Sequence, residues 1–92
     1  MTNRISLDEL SGMFSRYCDA VARAGYDVTN YRLQLGDEAN SYRAMDNGSG
    51  TLGTGSYGYL GDTRREAYRA LLLMAQTLED IRYNTNKLEK SA

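Results

Sequence analysis

Gly58-Tyr59-Leu60-Gly61-Asp62-Thr63-Arg64-Arg65-Glu66-Ala67-Tyr68-Arg69-Ala70-Leu71 is where a glycine-rich segment gives way to a well-specified helix. Thr63 and Glu66 have the spacing of a capping box, in which each side chain satisfies the other residue's free backbone N–H. Downstream, Ala67, Leu71, Met74, Ala75, Leu78 and Ile81 recur at spacings of three and four. They draw the main apolar face of a helix predicted over 64–84. Tyr68 and Leu72 widen that face, and Leu73 lies away from it. Leu71-Leu72-Leu73-Met74 is apolar nearly all round the helix, which predicts burial on more than one side. One small sheet cannot cover such a surface. Self-association through Leu72 and Leu73 is therefore expected, in the simplest case as a homodimer. Residues 86–92 are expected to form a flexible polar tail.

Upstream, Ser6 and Glu9 make a second capping box. Leu7, Leu10, Met13, Phe14, Tyr17, Cys18 and Val21 then trace one apolar stripe, and Gly25 sits where a left-handed residue ends a helix. A first helix is predicted over 7–24. Tyr31, Leu33 and Leu35 alternate with Arg32 and Gln34 as a half-buried strand does. Residues 36–40 read as a turn and 41–45 as a second strand, giving an antiparallel hairpin. Six of the nine glycines fall in 46–61, read as a glycine-rich hairpin or loop. A third strand is expected within 51–60, with Tyr57 and Tyr59 on one face, and a flexible tip near 47–50. The predicted order is α-β-β-(β)-α. This is an α+β fold, a small antiparallel sheet with two helices packed on one face, in a single domain over 1–92.

Composition narrows the chemistry. A net charge of −1 gives no whole-molecule attraction to nucleic acid or anionic membrane. There is no His and one Cys, so a zinc site, a His general base and an internal disulfide are all excluded. No apolar run spans a bilayer, and the first residues lead into no apolar signal core, so the cytoplasm is the expected location. Asp8-Glu9 and Glu79-Asp80 are adjacent carboxylates on helices, and adjacent helical side chains diverge, so neither pair converges on one proton or metal. Cys18 on the first stripe reads as a buried, inert thiol. No catalytic residue, cofactor or metal is expected.

Gly48-Ser49-Gly50-Thr51-Leu52-Gly53 and Gly53-Thr54-Gly55-Ser56-Tyr57-Gly58 both match G-x-G-x-x-G. The dinucleotide motif needs a parallel strand before it and a helix opening within it, and here five residues separate Gly58 from the helix. Glycine-rich composition accounts for both matches. Arg64, Arg65 and Arg69 at the start of the second helix are candidate anion-binding residues, opposed by Asp62 and Glu66. The alternative is a solvated helix face. Tyr57 and Tyr59 read as exposed, a composition that suits protein interfaces and base stacking alike.

The element order and Thr63-Arg64-Arg65-Glu66-Ala67 resemble the double-stranded-RNA-binding domain. That family is α-β-β-β-α, and its last helix opens with a small polar residue, two basic residues and an alanine. Tyr31, Gly36 and the glycines before the second helix fall where the family places its first strand, hairpin and third loop. The resemblance implies phosphate contacts from Arg64 and Arg65. The family's further basic residue corresponds to Tyr68, and the hairpin turn carries Asp37 and Glu38 and no His. The stretch from Gly58 to Leu71 also resembles a phrase recurring in small proteins of actinobacterial phages, most of which lack known function. That resemblance implies a non-catalytic phage accessory protein that binds a host or phage macromolecule in the host cytoplasm. A protein partner is the leading expectation, and a nucleic-acid-binding module using Arg64, Arg65 and Arg69 is the alternative.

Overall fold

The computed structural model describes residues 5–35 and 41–91, with side chains over 5–34 and 41–81. Helix α1 spans Leu7–Arg23. Ser6 caps it, its hydroxyl accepting from Glu9 N–H at 3.1 Å, while the Glu9 carboxylate accepts from Ser6 N–H at 3.5 Å. Asp8 and Glu9 in the first turn and Arg23 in the last complement the helix dipole. Gly25, at φ +101°, ends the helix: its N–H donates to Ala22 O at 3.0 Å and Tyr26 N–H donates to Val21 O at 3.3 Å. This 5→2 and 6→1 pair is the Schellman arrangement. Tyr26 stays exposed, so the closure is made by backbone.

Strands β1 (Tyr31–Leu35) and β2 (Tyr42–Asp46) pair antiparallel with Leu33 opposite Ala44. The turn predicted at 36–40 lies outside the described residues. Asn47 and Gly48, at φ +49° and +98°, turn the chain directly into β3 (Ser49–Gly50). Two consecutive positive φ values are what a two-residue type I′ hairpin demands, and Asn-Gly supplies them at least cost. The expected flexible tip is therefore a tight hairpin turn. β4 (Tyr59–Gly61) pairs with the start of β2, Arg43 opposite Tyr59 and Tyr42 opposite Gly61, with a register shift between them.

The expected third strand is thus split. β3 and β4 occupy one lane beside β2, and residues 51–58 leave the sheet between them. Ala44 closes the base of this excursion: its N–H donates to Gly58 O at 2.8 Å and its carbonyl accepts from Thr51 N–H at 3.2 Å. Two internal turns follow, Thr54 N–H to Thr51 O at 3.1 Å and Gly58 N–H to Gly55 O at 2.9 Å. The chain folds back so tightly that a Cβ on Gly50 would lie 1.9 Å from Gly55 O, and one on Gly58 would lie 2.2 Å from Ala44 O. Tyr57 therefore belongs to a loop and not to a strand face shared with Tyr59.

Helix α2 spans Arg64–Ser91. Thr63 Oγ1 accepts from Glu66 N–H at 3.1 Å, as the capping box predicts. The Glu66 carboxylate instead reaches one residue further back, to Asp62 N–H at 3.2 Å. The helix runs past the predicted end near Asn84 and on to Ser91 within the expected tail. Residues 85–91 contain no Gly or Pro, and Lys, Leu and Glu there are good helix formers.

Both helices cover the side of the sheet that carries Ala44. The core joins Leu10, Met13, Tyr17, Ala20 and Val21 of α1, Ala44 and Leu60 of the sheet, and Ala67, Leu71 and Ala75 of α2. Arg16 and Glu79 clasp the two helices at the surface through a forked pair, Nη2 to Oε1 at 2.7 Å and Nε to Oε2 at 3.0 Å. At the centre, the buried Tyr17 ring lies 6.2 Å from that of Tyr31 at an interplanar angle of 22°. The Tyr17 hydroxyl donates to Leu52 O and bonds the Thr51 hydroxyl at 3.0 Å. Tyr31 Oη accepts from Leu52 N–H at 3.3 Å.

Burial pushes the Tyr17 phenol up to about 12, against the opposing pull of its bond to Thr51. A folded-state value raised above the unfolded one makes the stabilisation complete below about pH 10 and lost as the pH climbs towards 12. Urea midpoints are expected to hold up to about pH 10 and then fall, and Tyr17→Phe should flatten that decline. At neutral pH the same change should cost about 1–3 kcal/mol, because Leu52 O and the Thr51 hydroxyl lose a partner. The glycines separate equally cleanly. Gly50→Ala should cost more than about 1 kcal/mol, whereas Gly55→Ala, with nothing within 4 Å of its added Cβ, should be neutral or slightly stabilising.

Candidate functional site

The two tyrosines place Leu52, and Leu52 places Gly53. Gly53 holds φ +87° with its backbone against α2, where an added Cβ would lie 2.9 Å from Met74 Sδ. The missing side chain leaves a groove between loop and helix of about 280 Å³, lined by Leu52, Gly53, Leu73, Met74, Thr77 and Leu78. Thr77 is the one hydroxyl-bearing residue of this lining. Its Oγ1 donates to Leu73 O at 2.8 Å, so the hydroxyl is spent on the helix's own backbone and the wall presents apolar surface. Leu52, Met74 and Leu78 are half-buried. Leu73 stands at the rim, 57% exposed, and Ile81, 58% exposed, follows two turns along the same side.

Leu72 and Leu73 do not form one contact face. Adjacent helical residues diverge by about 100°. Leu72 packs half-buried against the core, and Leu73 alone faces solvent at the groove. Leu52 and Gly53, which complete that groove, carry no local sign of the role.

Arg64, Arg65 and Arg69 are exposed, as expected. Asp62 and Glu66 lie in the same turn and are fixed there. The Asp62 carboxylate accepts from Tyr59 Oη at 2.8 Å, and Glu66 holds Asp62 N–H. The bond to Asp62 raises the Tyr59 pKa above its ordinary value. Tyr59 is 52% exposed on β4, and Tyr57 is 73% exposed in the loop. The structure thus ties Tyr59 to the start of α2. Among the described residues, no group of three or more His, Cys, Asp or Glu could hold a metal ion. No described helix is long and apolar enough to cross a membrane.

Comparison of the chain with models of protein families, with curated proteins and with solved structures finds no match in any of the three.

Cys18 is half-buried in the α1 stripe, and burial, aided by the charge of Asp19, pushes its thiol up to about 11. Only the thiolate reacts. Alkylation by iodoacetamide at pH 8 should therefore run about a hundredfold slower in the native protein than in the urea-unfolded chain, followed by mass spectrometry.

Proposed function

We propose that this chain is a non-catalytic binding module that works by docking protein at the groove between residues 52–53 and α2, and that its first occupant is a second copy of itself. The observation that carries this is Leu73, 57% exposed beside a groove walled by Leu52, Gly53, Met74 and Leu78. A two-fold contact needs a projecting side chain and a matching recess on one patch of one molecule. Leu73 and the groove meet that requirement, with Ile81 extending the apolar strip along α2. The composition supports a non-catalytic role, since the chain has no His and its single thiol is held protonated. The likeness of the stretch from Gly58 to Leu71 to small phage proteins suggests the setting, an accessory protein that acts by contact.

Sedimentation equilibrium at micromolar to submillimolar concentration should give a mass above that of the monomer, rising with concentration. Leu73→Glu should return the protein to monomer mass with an unchanged far-ultraviolet spectrum, because this side chain lies outside the core. Leu72→Glu should instead lower the urea midpoint, since Leu72 packs against the core. A wild-type protein that stays strictly monomeric throughout would overturn self-docking.

A further inference from the structure

The side of the sheet facing away from the helices plays no part in that contact. Side chains alternate along a strand, and Leu33 and Ala44 mark the helix side. Arg32 and Gln34 of β1, Arg43 and Met45 of β2, and Tyr59 of β4 therefore share the outer side. The register sets Arg32 opposite Met45, Gln34 opposite Arg43, and Arg43 opposite Tyr59. Arg32 and Arg43 are diagonal neighbours, about 7–8 Å apart, and Tyr59 continues the line across the sheet. Arg32, Gln34 and Tyr59 are exposed, while Arg43 and Met45 are half-buried. Among the described strand residues no Asp or Glu falls on this side, since Asp46 pairs with Tyr31 and belongs to the helix side. Neither guanidinium has an ion-pair partner among the described residues. In a chain of net charge −1 this is a local positive surface. The Asp62 carboxylate meets it at the Tyr59 hydroxyl, on the margin towards the start of α2, where Asp62 and Glu66 sit among the arginines. Beside Arg32 and Met45 the face dips into a hollow of about 380 Å³, whose lining includes the amide-bearing residues Asn30, Gln34 and Asn47.

We infer that this outer face binds single-stranded nucleic acid. Arg32 and Arg43 are forked donors suited to phosphate oxygens. The Tyr59 ring, steadied by its bond to Asp62, offers a platform for a base. The three amides present the paired donors and acceptors that match an unpaired base edge. An acidic peptide would satisfy the guanidiniums but would leave the ring and the amides unused, so the nucleic acid fits more of the surface.

The test is fluorescence anisotropy with a labelled single strand of mixed sequence, as RNA and as DNA, across a salt series. A polyglutamate peptide of equal charge is the comparison. Wild-type protein should bind the single strands at low salt, more tightly than polyglutamate, with affinity falling as salt rises. Arg32→Gln with Arg43→Gln should weaken binding and reduce the salt slope by about 1 to 1.5 units, from about 0.7 for each phosphate left unneutralised. Arg32→Gln alone removes an exposed side chain, so its share of that loss can be read even if the double variant unfolds. Tyr59→Phe keeps the ring but not its bond to Asp62 and should bind slightly more weakly than wild type, and Tyr59→Leu about tenfold more weakly. Arg64→Ala with Arg65→Ala should change little, and Leu73→Glu should leave each protomer's site intact. Absence of binding at low salt overturns the inference. So does equal affinity for polyglutamate, a Tyr59→Leu variant that binds like wild type, or loss of binding confined to the Arg64 and Arg65 changes.

Discussion

Leu52 is held by two phenols, and most of the structure on the loop side of the sheet follows from that. Its carbonyl accepts from Tyr17 and its N–H donates to Tyr31. A peptide group that leaves a sheet for the protein interior must find partners or lose free energy comparable to a hydrogen bond. Here the partners come from α1 and β1, elements 35 and 21 residues away in sequence. The two rings lie nearly parallel, so one packed unit fixes both hydroxyls at once. With Leu52 anchored, residues 51–58 can turn twice and return to Ala44. That return sets β4 in register beside β2 and delivers the chain to the Thr63 cap of α2. Without the anchor, β3 and β4 are two- and three-residue fragments, too short to hold a sheet edge by themselves.

The helices and the first hairpin were legible because their signals are local. Ser6 with Glu9, Gly25, and the spacing from Leu10 to Val21 each act over one or two helical turns. The glycine-rich segment misled for the opposite reason. Counted along the chain, its glycines mean freedom. In the fold they mean close approach, as where Gly50 meets Gly55 O and Gly58 meets Ala44 O. Asn47-Gly48 did carry a local signal, the strongest one for a two-residue hairpin, but the surrounding glycines obscured it. The site divides in the same way. Leu73's departure from the apolar face is visible on a helical projection. Leu52 and Gly53 enter the groove only through tyrosines remote in sequence, and no local pattern announces that.

Charge placement also depended on tertiary detail. The run of arginines at the start of α2 is conspicuous in sequence, yet the carboxylates that cap and brace this turn are bound within it. Asp62 takes the Tyr59 hydroxyl and Glu66 takes Asp62 N–H, so both negative charges stay beside Arg64 and Arg65. Arg32 and Arg43 look unremarkable on a strand, where alternation alone accounts for them. Pairing the strands brings them to one face and leaves the acid Asp46 on the other.

The excursion 51–58 borders both surfaces. Gly53 lies against Met74 at the groove, and Gly58 lies against Met45, which belongs to the outer face. In both places the neighbour is a thioether in contact with bare backbone, a flexible side chain that adapts to small displacements. Apart from Leu52 the loop contributes no large apolar side chain to the core or its margin, and its order rests on hydrogen bonds, those of its backbone and those of the two phenols. Segments built that way open at lower free energy than the core. Opening would erase the groove by freeing Leu52 and Gly53. It would also release the Gly58–Ala44 bond that keeps Tyr59 beside Arg43. Both surfaces therefore require the same closed loop, and a ligand on either one draws on the same small equilibrium. Any coupling between them is limited by the free energy of that opening, and reciprocity gives it one sign in both directions. The phenols of Tyr17 and Tyr31, which hold Leu52 in place, contribute to that free energy.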